Sequence, residues 1–367
     1  MIMHYVSLVY QYDGTYNSPQ PWLNRVRAYG GVLEALALHA RVTHVVQIDY
    51  EGELTHNGVK YQFVKYKDER PLFPHQLHLF IKSLDPDVVL VHSFNHPLQV
   101  VQLKLALPFK TRIIVQNHAE KPAVGFRKAL QQLADKWIDA YLFASKQMGL
   151  DWVAKGNIAS PKKVHEVMEL SSVFYPVDKQ IAREKTSVDA EKVYLWAGRL
   201  DANKDPITAV VAFLKFAAAN PKARLYMLYQ TEDLLPQIEQ LLNEAPNPDA
   251  VKLIGSVTHD DMLYWLNSAD FFVAASYYEG SGTALCEAMS CGCVPIVSDI
   301  FSFRMITDDG KIGLLFPPGK EDELLLALSK SQNLDLSAQR EKALAYFKSN
   351  LSFGAIAQKI QAIAISL

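Results

Sequence analysis

Short apolar runs alternate with amphipathic stretches along most of the chain. Residues 6–10, 42–48, 87–93, 112–116 and 140–144 form one series, and residues 193–197, 225–229, 251–254, 271–275 and 294–297 form a second. Runs of this length that are mostly apolar, without strict alternation, read as strands buried on both faces, which is the pattern of a parallel sheet. Segments with helical periodicity lie between them, such as residues 32–39 and the stretch opened by Thr258 and carrying Trp265 and Leu266. Alternation of this kind predicts an α/β architecture of doubly wound parallel sheets. Two stretches break it. Residues 13–22, DGTYNSPQPW, read as an irregular polar loop and a candidate acceptor loop, and residues 177–190, after Tyr175 and Pro176, lack periodicity and read as a linker. The expected domains are therefore residues 1–176 and 191–350, with a last helix over 351–367.

One stretch organises the second series. Residues 271–297, FFVAASYYEGSGTALCEAMSCGCVPIV, read as a strand, a Gly-rich loop, a helix and a strand, with Thr283 as N-cap and Gly292 at the left-handed C-terminal position. A helix N-terminus beyond a strand's carboxyl end directs backbone N–H groups and positive potential outward, so it suits an anion. Two carboxylates flank it, Glu279 in the loop and Glu287 one turn beyond Thr283 on the same face. Carboxylates beside a phosphate cradle are suited to sugar and ribose hydroxyls; two solvated glutamates on a surface are the plain alternative. Upstream, GRLDANKDP at residues 198–206 sets Arg199 and Lys204 after a strand, with Asp205 and Pro206 as cap and first helical residue.

Glu279 and Glu287, with Gly280, Gly282, Ala288, Gly292 and Pro295 in step, resemble the donor-site motif of retaining glycosyltransferases of the GT-B fold, family 4. The resemblance implies two Rossmann-like doubly wound parallel-sheet domains facing across a cleft, the first binding acceptor and the second a nucleotide-sugar donor. It also implies that the last helix crosses back to the first domain; a plain amphipathic core helix is the alternative. By the same resemblance Glu279 and the Gly280, Ser281 and Gly282 amides hold the transferred sugar. The Thr283 and Ala284 amides, Arg199 and Lys204 meet the diphosphate, and Glu287 takes the ribose. Gly30 and Gly31 match a pair in the loop entering the first helix near the donor phosphates, and His118 matches a histidine that contacts the sugar near the reacting carbon. His92 reads as a satisfied structural histidine. The chain departs from the pattern at Glu169-Leu170, where an Asn-Gly turn is usual, at Gln230-Thr231, where glycines are frequent, and at Met305, where a glutamate is frequent.

The activity implied is transfer, with retention, of a sugar from a UDP- or GDP-sugar to a hydroxyl of a sugar, lipid-linked or small-molecule acceptor. It would serve cell-surface polysaccharide or glycolipid synthesis. No cofactor or metal is expected: Asp85-Pro86-Asp87 reads as a turn, not a metal-binding pair. A sugar-nucleotide epimerase of the same architecture and a non-catalytic sugar-nucleotide-binding protein are the alternatives. A nicotinamide oxidoreductase fits less well, since no Gly-x-Gly-x-x-Gly follows the first strand.

Composition narrows the partners. The 367 residues carry a net charge of −2, against a nucleic-acid binder that works by phosphate neutralisation. Residues 1–190 hold 22 Lys and Arg against 18 Asp and Glu, a balance of +4, and the rest −6. The basic half suits an anionic acceptor or a peripheral membrane contact, although an uneven scatter of solvated charge explains it equally. Cys286, Cys291 and Cys293 have no metal-site spacing and read as reduced core thiols, and the N-terminus has no signal-peptide pattern. A cytoplasmic protein, with or without contact to the inner face of the membrane, is expected.

Overall fold

The structure, a computed structural model, describes residues 2–65, 72–118 and 120–367. The chain divides into two compact units, residues up to Ser171 together with Phe353–Leu367, and Ser172–Ser352. The first unit holds β1 (His4–Asp13), β2 (Arg41–Ile48), β3 (Gly52–His56), β4 (Val59–Val64), β5 (Val88–His92), β6 (Arg112–Gln116), β7 (Ala140–Phe143) and β8 (Val164–Glu166), in the sheet order 3-4-2-1-5-6-7-8. All its pairings are parallel except β3 with β4. That antiparallel edge was not expected. Asn57 and Gly58 both have positive φ, at 46° and 81°, and close a two-residue hairpin whose twist suits paired strands.

The second unit holds β9 (Lys192–Gly198), β10 (Ala223–Tyr229), β11 (Val251–Gly255), β12 (Phe271–Ala274), β13 (Val294–Ser298) and β14 (Leu314–Phe316), all parallel, in the order 11-10-9-12-13-14. Its core is aromatic at the centre. Tyr194 stacks on Phe271 at 4.9 Å and meets Phe213 edge-on at 5.1 Å, while its hydroxyl lies 2.8 Å from Ser331 Oγ. A buried tyrosine needs such a partner. Each sheet reverses its winding where one strand pairs with neighbours from opposite directions: β1 between β2 and β5, and β9 between β10 and β12. Ligands of open α/β sheets bind outside the carboxyl ends of the strands at such points.

Several expectations change. Residues 179–186 of the expected linker form the helix Lys179–Thr186, capped by Asp178, whose carboxylate accepts from the N–H groups of Gln180 (2.9 Å) and Ile181 (3.1 Å). It is held by charge, not by an apolar stripe: Lys179 and Arg183, one turn apart, both reach the buried carboxylate of Asp270. The loop at 13–22 runs into a short helix, Pro19–Arg25, that buries Trp22 and Leu23. Asp205 does cap the helix Pro206–Ala219, accepting from Thr208 N–H at 3.3 Å in the left-handed conformation. Asp87 accepts from His4 N–H at 2.8 Å, two residues after the left-handed Asp85.

Candidate functional site

The second unit brings its sequence motifs together at the carboxyl ends of β9 and β12. Two loops leave these strands and are tied to each other: Tyr277 N–H donates to Asn203 O at 2.8 Å, and Asn203 Nδ2 donates to Tyr278 O at 3.0 Å. That stitching brings Lys204 onto Glu279. Lys204 Nζ donates to Glu279 Oε1 at 2.5 Å, and Ser276 Oγ donates to the same oxygen at 2.6 Å. Lys204 therefore carries a compensated charge, whereas Arg199 is 61% exposed and leans on Asp201 at 3.1 Å. Ser276, unremarked in the sequence, orients the carboxylate; its only signal is a position three residues before Glu279.

Beyond Glu279, Gly280 and Ser281 lead to Gly282, whose φ of 60° places the cap in the left-handed region. The cap is thus Gly282, not Thr283. The helix Thr283–Ser290 begins one residue earlier than expected and, with glycine as its cap, has no side-chain cap hydrogen bond. A side chain at 282 would also run into Ile306 and Phe303, 2.8 and 3.1 Å from an added Cβ. Glu287 follows on this helix, and burial raises its carboxyl pKa to about 7. Gly292 ends the segment with φ 82°, and the three cysteines are free and buried.

The first unit contains a cavity of about 430 Å³ beyond the carboxyl ends of β1, β5 and β6. Its apolar end is aromatic, with Trp22 packed at 5.6 Å on His44 and 5.9 Å on Tyr61. Burial lowers the His44 pKa to about 4, so this imidazole is neutral and its Nδ1 lies 3.2 Å from Ser7 O. The polar end is a row of side chains. Ser7 Oγ lies 2.9 Å from His92 Nε2, His92 Nδ1 lies 3.0 Å from His118 Nε2, and His118 Nδ1 lies against Glu169 Oε2. Burial first, and then the neighbouring His118 and His44, hold the His92 pKa far below the ordinary histidine range. Glu120 fixes the loop by accepting from His118 N–H (2.7 Å), Asn117 Nδ2 (2.8 Å) and Phe94 N–H (3.2 Å).

Two expectations shift here. Gly30 and Gly31 do not lie in a loop before a helix at 32–39. They lie inside the helix Arg27–Ala37, and Gly30 N–H is already bonded to Val26 O at 2.8 Å. Gly31 is small for packing: an added Cβ would sit 2.6 Å from the ring of Phe353, in the final helix Phe353–Ser366 of the same unit. His118 lines the cavity, with Nε2 facing His92 and Nδ1 facing Glu169. Glu169, Glu120, Trp22 and His44 were not singled out as site residues; the first gave a signal only as a departure from the Asn-Gly pattern.

A profile described as "Glycosyl transferases group 1" matches residues 178–345. A GDP-mannose:cellobiosyl-diphosphopolyprenol alpha-mannosyltransferase of Xanthomonas oryzae pv. oryzae is 24% identical over 305 residues, 80% of this chain and 77% of that one. An N-acetylgalactosamine-N,N'-diacetylbacillosaminyl-diphospho-undecaprenol 4-alpha-N-acetylgalactosaminyltransferase of Campylobacter jejuni is 24% identical over 249 residues, 64% of each chain. The solved structure of sucrose-phosphate synthase from Thermosynechococcus elongatus superposes with a TM-score of 0.69 over 100% of this chain and 99% of that one, at 17% identity. The two parallel-sheet α/β domains are those of GT-B glycosyltransferases.

Proposed function

We propose, for a chain that is a glycosyltransferase with its group 1 domain at residues 178–345, that the second unit binds a nucleotide diphosphate sugar and transfers the sugar with retention and without a metal. The observation that carries this reading is the cluster of Lys204, Glu279 and Ser276 beside the uncapped amides of Thr283 and Ala284. Cleaving the bond from an anomeric carbon to a diphosphate puts positive charge on the sugar and negative charge on the leaving group. Preorganised groups accelerate the step where that charge develops.

Arg199, Lys204 and the helix N-terminus would stabilise the leaving diphosphate, Glu279 would hold the sugar, and Glu287 the ribose hydroxyls. The first unit would take the acceptor, since its cavity has the size and mixed lining of a small-ligand site. In such a mechanism the departing phosphate takes the acceptor's proton, so no side chain forms a covalent intermediate. The named relatives act on sugars linked to a polyprenol diphosphate, which favours a glycolipid or polysaccharide pathway and a lipid-linked or sugar acceptor. Among the described residues no helix is long and apolar enough to cross a membrane.

The test is calorimetry and turnover against UDP-, GDP- and ADP-sugars with excess chelator. Binding of one nucleotide, with slow metal-free hydrolysis of its sugar, is expected. Binding to none, or a strict metal requirement, overturns the reading.

A further inference from the structure

We propose that Glu169, not His118, is the residue that the first unit's cavity offers to a ligand hydroxyl; the inference rests on the glycosyltransferase reading above. An imidazole has two ring nitrogens. In His118 one lies against Glu169 and the other is 3.0 Å from His92. Two proton arrangements satisfy the row. With His118 neutral, its Nδ1–H faces Glu169, its Nε2 accepts from His92 Nδ1–H, and His92 Nε2 accepts from the Ser7 hydroxyl. With His118 charged, its Nε2–H donates to His92 Nδ1, and His92 Nε2–H donates to Ser7 Oγ. In both, Nδ1 of His118 is turned to Glu169 Oε2, a buried oxygen that makes no hydrogen bond of good geometry, and Nε2 is taken by His92, so the ring has no nitrogen left for a ligand.

The carboxylate differs. It can accept about four hydrogen bonds, it lines the cavity, and its side chain is only 6% exposed. The flanking side chains of Met168 and Leu170 are 3% and 2% exposed, so the backbone that carries it is held on both sides. A His118 ring that is itself clamped from behind by His92 and Ser7 orients the carboxylate without blocking all of it. An amide at 169 could donate as well as accept, but a carboxylate only accepts. The site is therefore matched to ligands rich in donors, namely the hydroxyls of a sugar ring or the ammonium of an amino sugar. It disfavours a phosphate.

Two measurements on the whole chain test this. The first compares wild type, Glu169→Gln and Glu169→Asp for kcat/KM of nucleotide release from the nucleotide sugar that binds, and for the Kd of bare UDP or GDP. Glu169→Gln should lower kcat/KM roughly 10- to 100-fold, as loss of a hydrogen bond to a charged group does, with Glu169→Asp restoring part of it and the bare-nucleotide Kd unmoved. A Glu169→Gln rate within about 3-fold of wild type overturns the inference, as the lower limit of that effect is not reached. The second needs no nucleotide. Methyl mannoside, methyl glucosaminide and glucose 6-phosphate are titrated into ¹⁵N-histidine-labelled wild type and Glu169→Gln. The two phosphate-free sugars should move the His118 resonances in wild type and not in the variant; equal movement in both, or none in wild type, overturns the inference. Failure of any nucleotide to bind wild type overturns the donor reading alone.

Discussion

The two units present chemistry in opposite ways. The second keeps its polar groups bonded to one another, Lys204 and Ser276 on Glu279 and Arg199 on Asp201, at the ends of adjacent strands. The first has a formed cavity of about 430 Å³ with an aromatic end and a row of hydrogen-bonded histidines. A ligand entering the first unit fills space that already exists. A diphosphate bound at the second as proposed would have to take Lys204 from Glu279, so part of its attraction would be offset by the pair it breaks.

The sharpest way to break this comparison is Glu279→Ala. It should lower sugar transfer or donor hydrolysis roughly 100- to 1000-fold, the usual cost of removing a preorganised charged group, while leaving Lys204 free to bind bare nucleotide at least as tightly as before. Wild-type turnover, or nucleotide affinity lost in step with turnover, removes the contrast. Trp22→Ala should act on the other side. Truncating this 7%-exposed ring should cost about 3 kcal/mol in a denaturant melt and leave the nucleotide Kd unchanged. Lys204→Met should weaken nucleotide binding by about 10-fold in calorimetry, a modest loss because its charge is compensated beforehand.

The smallest effect is a pH dependence. Burial raises the folded-state pKa of Glu287 from 4.5 to about 7, so between these values the folded chain holds a proton that the unfolded chain releases. This group's contribution to stability therefore falls as pH rises through that window. Ribose hydroxyls favour the ionised carboxylate, so nucleotide affinity should rise up to about 10-fold from pH 6 to pH 8, and Glu287→Gln should flatten the profile. A profile unchanged in that variant shows that another group titrates.

The same division explains what the sequence made legible. Strands buried on both faces leave largely apolar runs, and Arg199, Lys204, Glu279 and Glu287 fall in two contiguous motifs, so the strands of the second unit and the place of its candidate site were legible in the sequence. The helix Lys179–Thr186 left no apolar period because ion pairs to Asp270, about 90 residues away, hold it. Gly30 and Gly31 matched a phosphate-loop pattern, yet the smallness of Gly31 answers to Phe353, which no local window contains. The cavity collects Trp22, His44, His92, His118 and Glu169 from separate strands, loops and helices. Only the folded sheet makes neighbours of them, and the mismatch at Glu169 with the usual Asn-Gly turn marked the place without disclosing its partner.

The contact between Gly31 and Phe353 also bears on how the protein is made. The chain leaves the first unit at Ser171 and returns to it only at Phe353, so Ser172–Ser352 is an insertion within a discontinuous unit. On a ribosome the inserted unit emerges complete while the earlier one still lacks its closing helix and Ile360, part of its cavity wall. Domains generally fold as units during synthesis. The order of maturation here is therefore reversed with respect to the order of translation: the portion begun first is the one finished last.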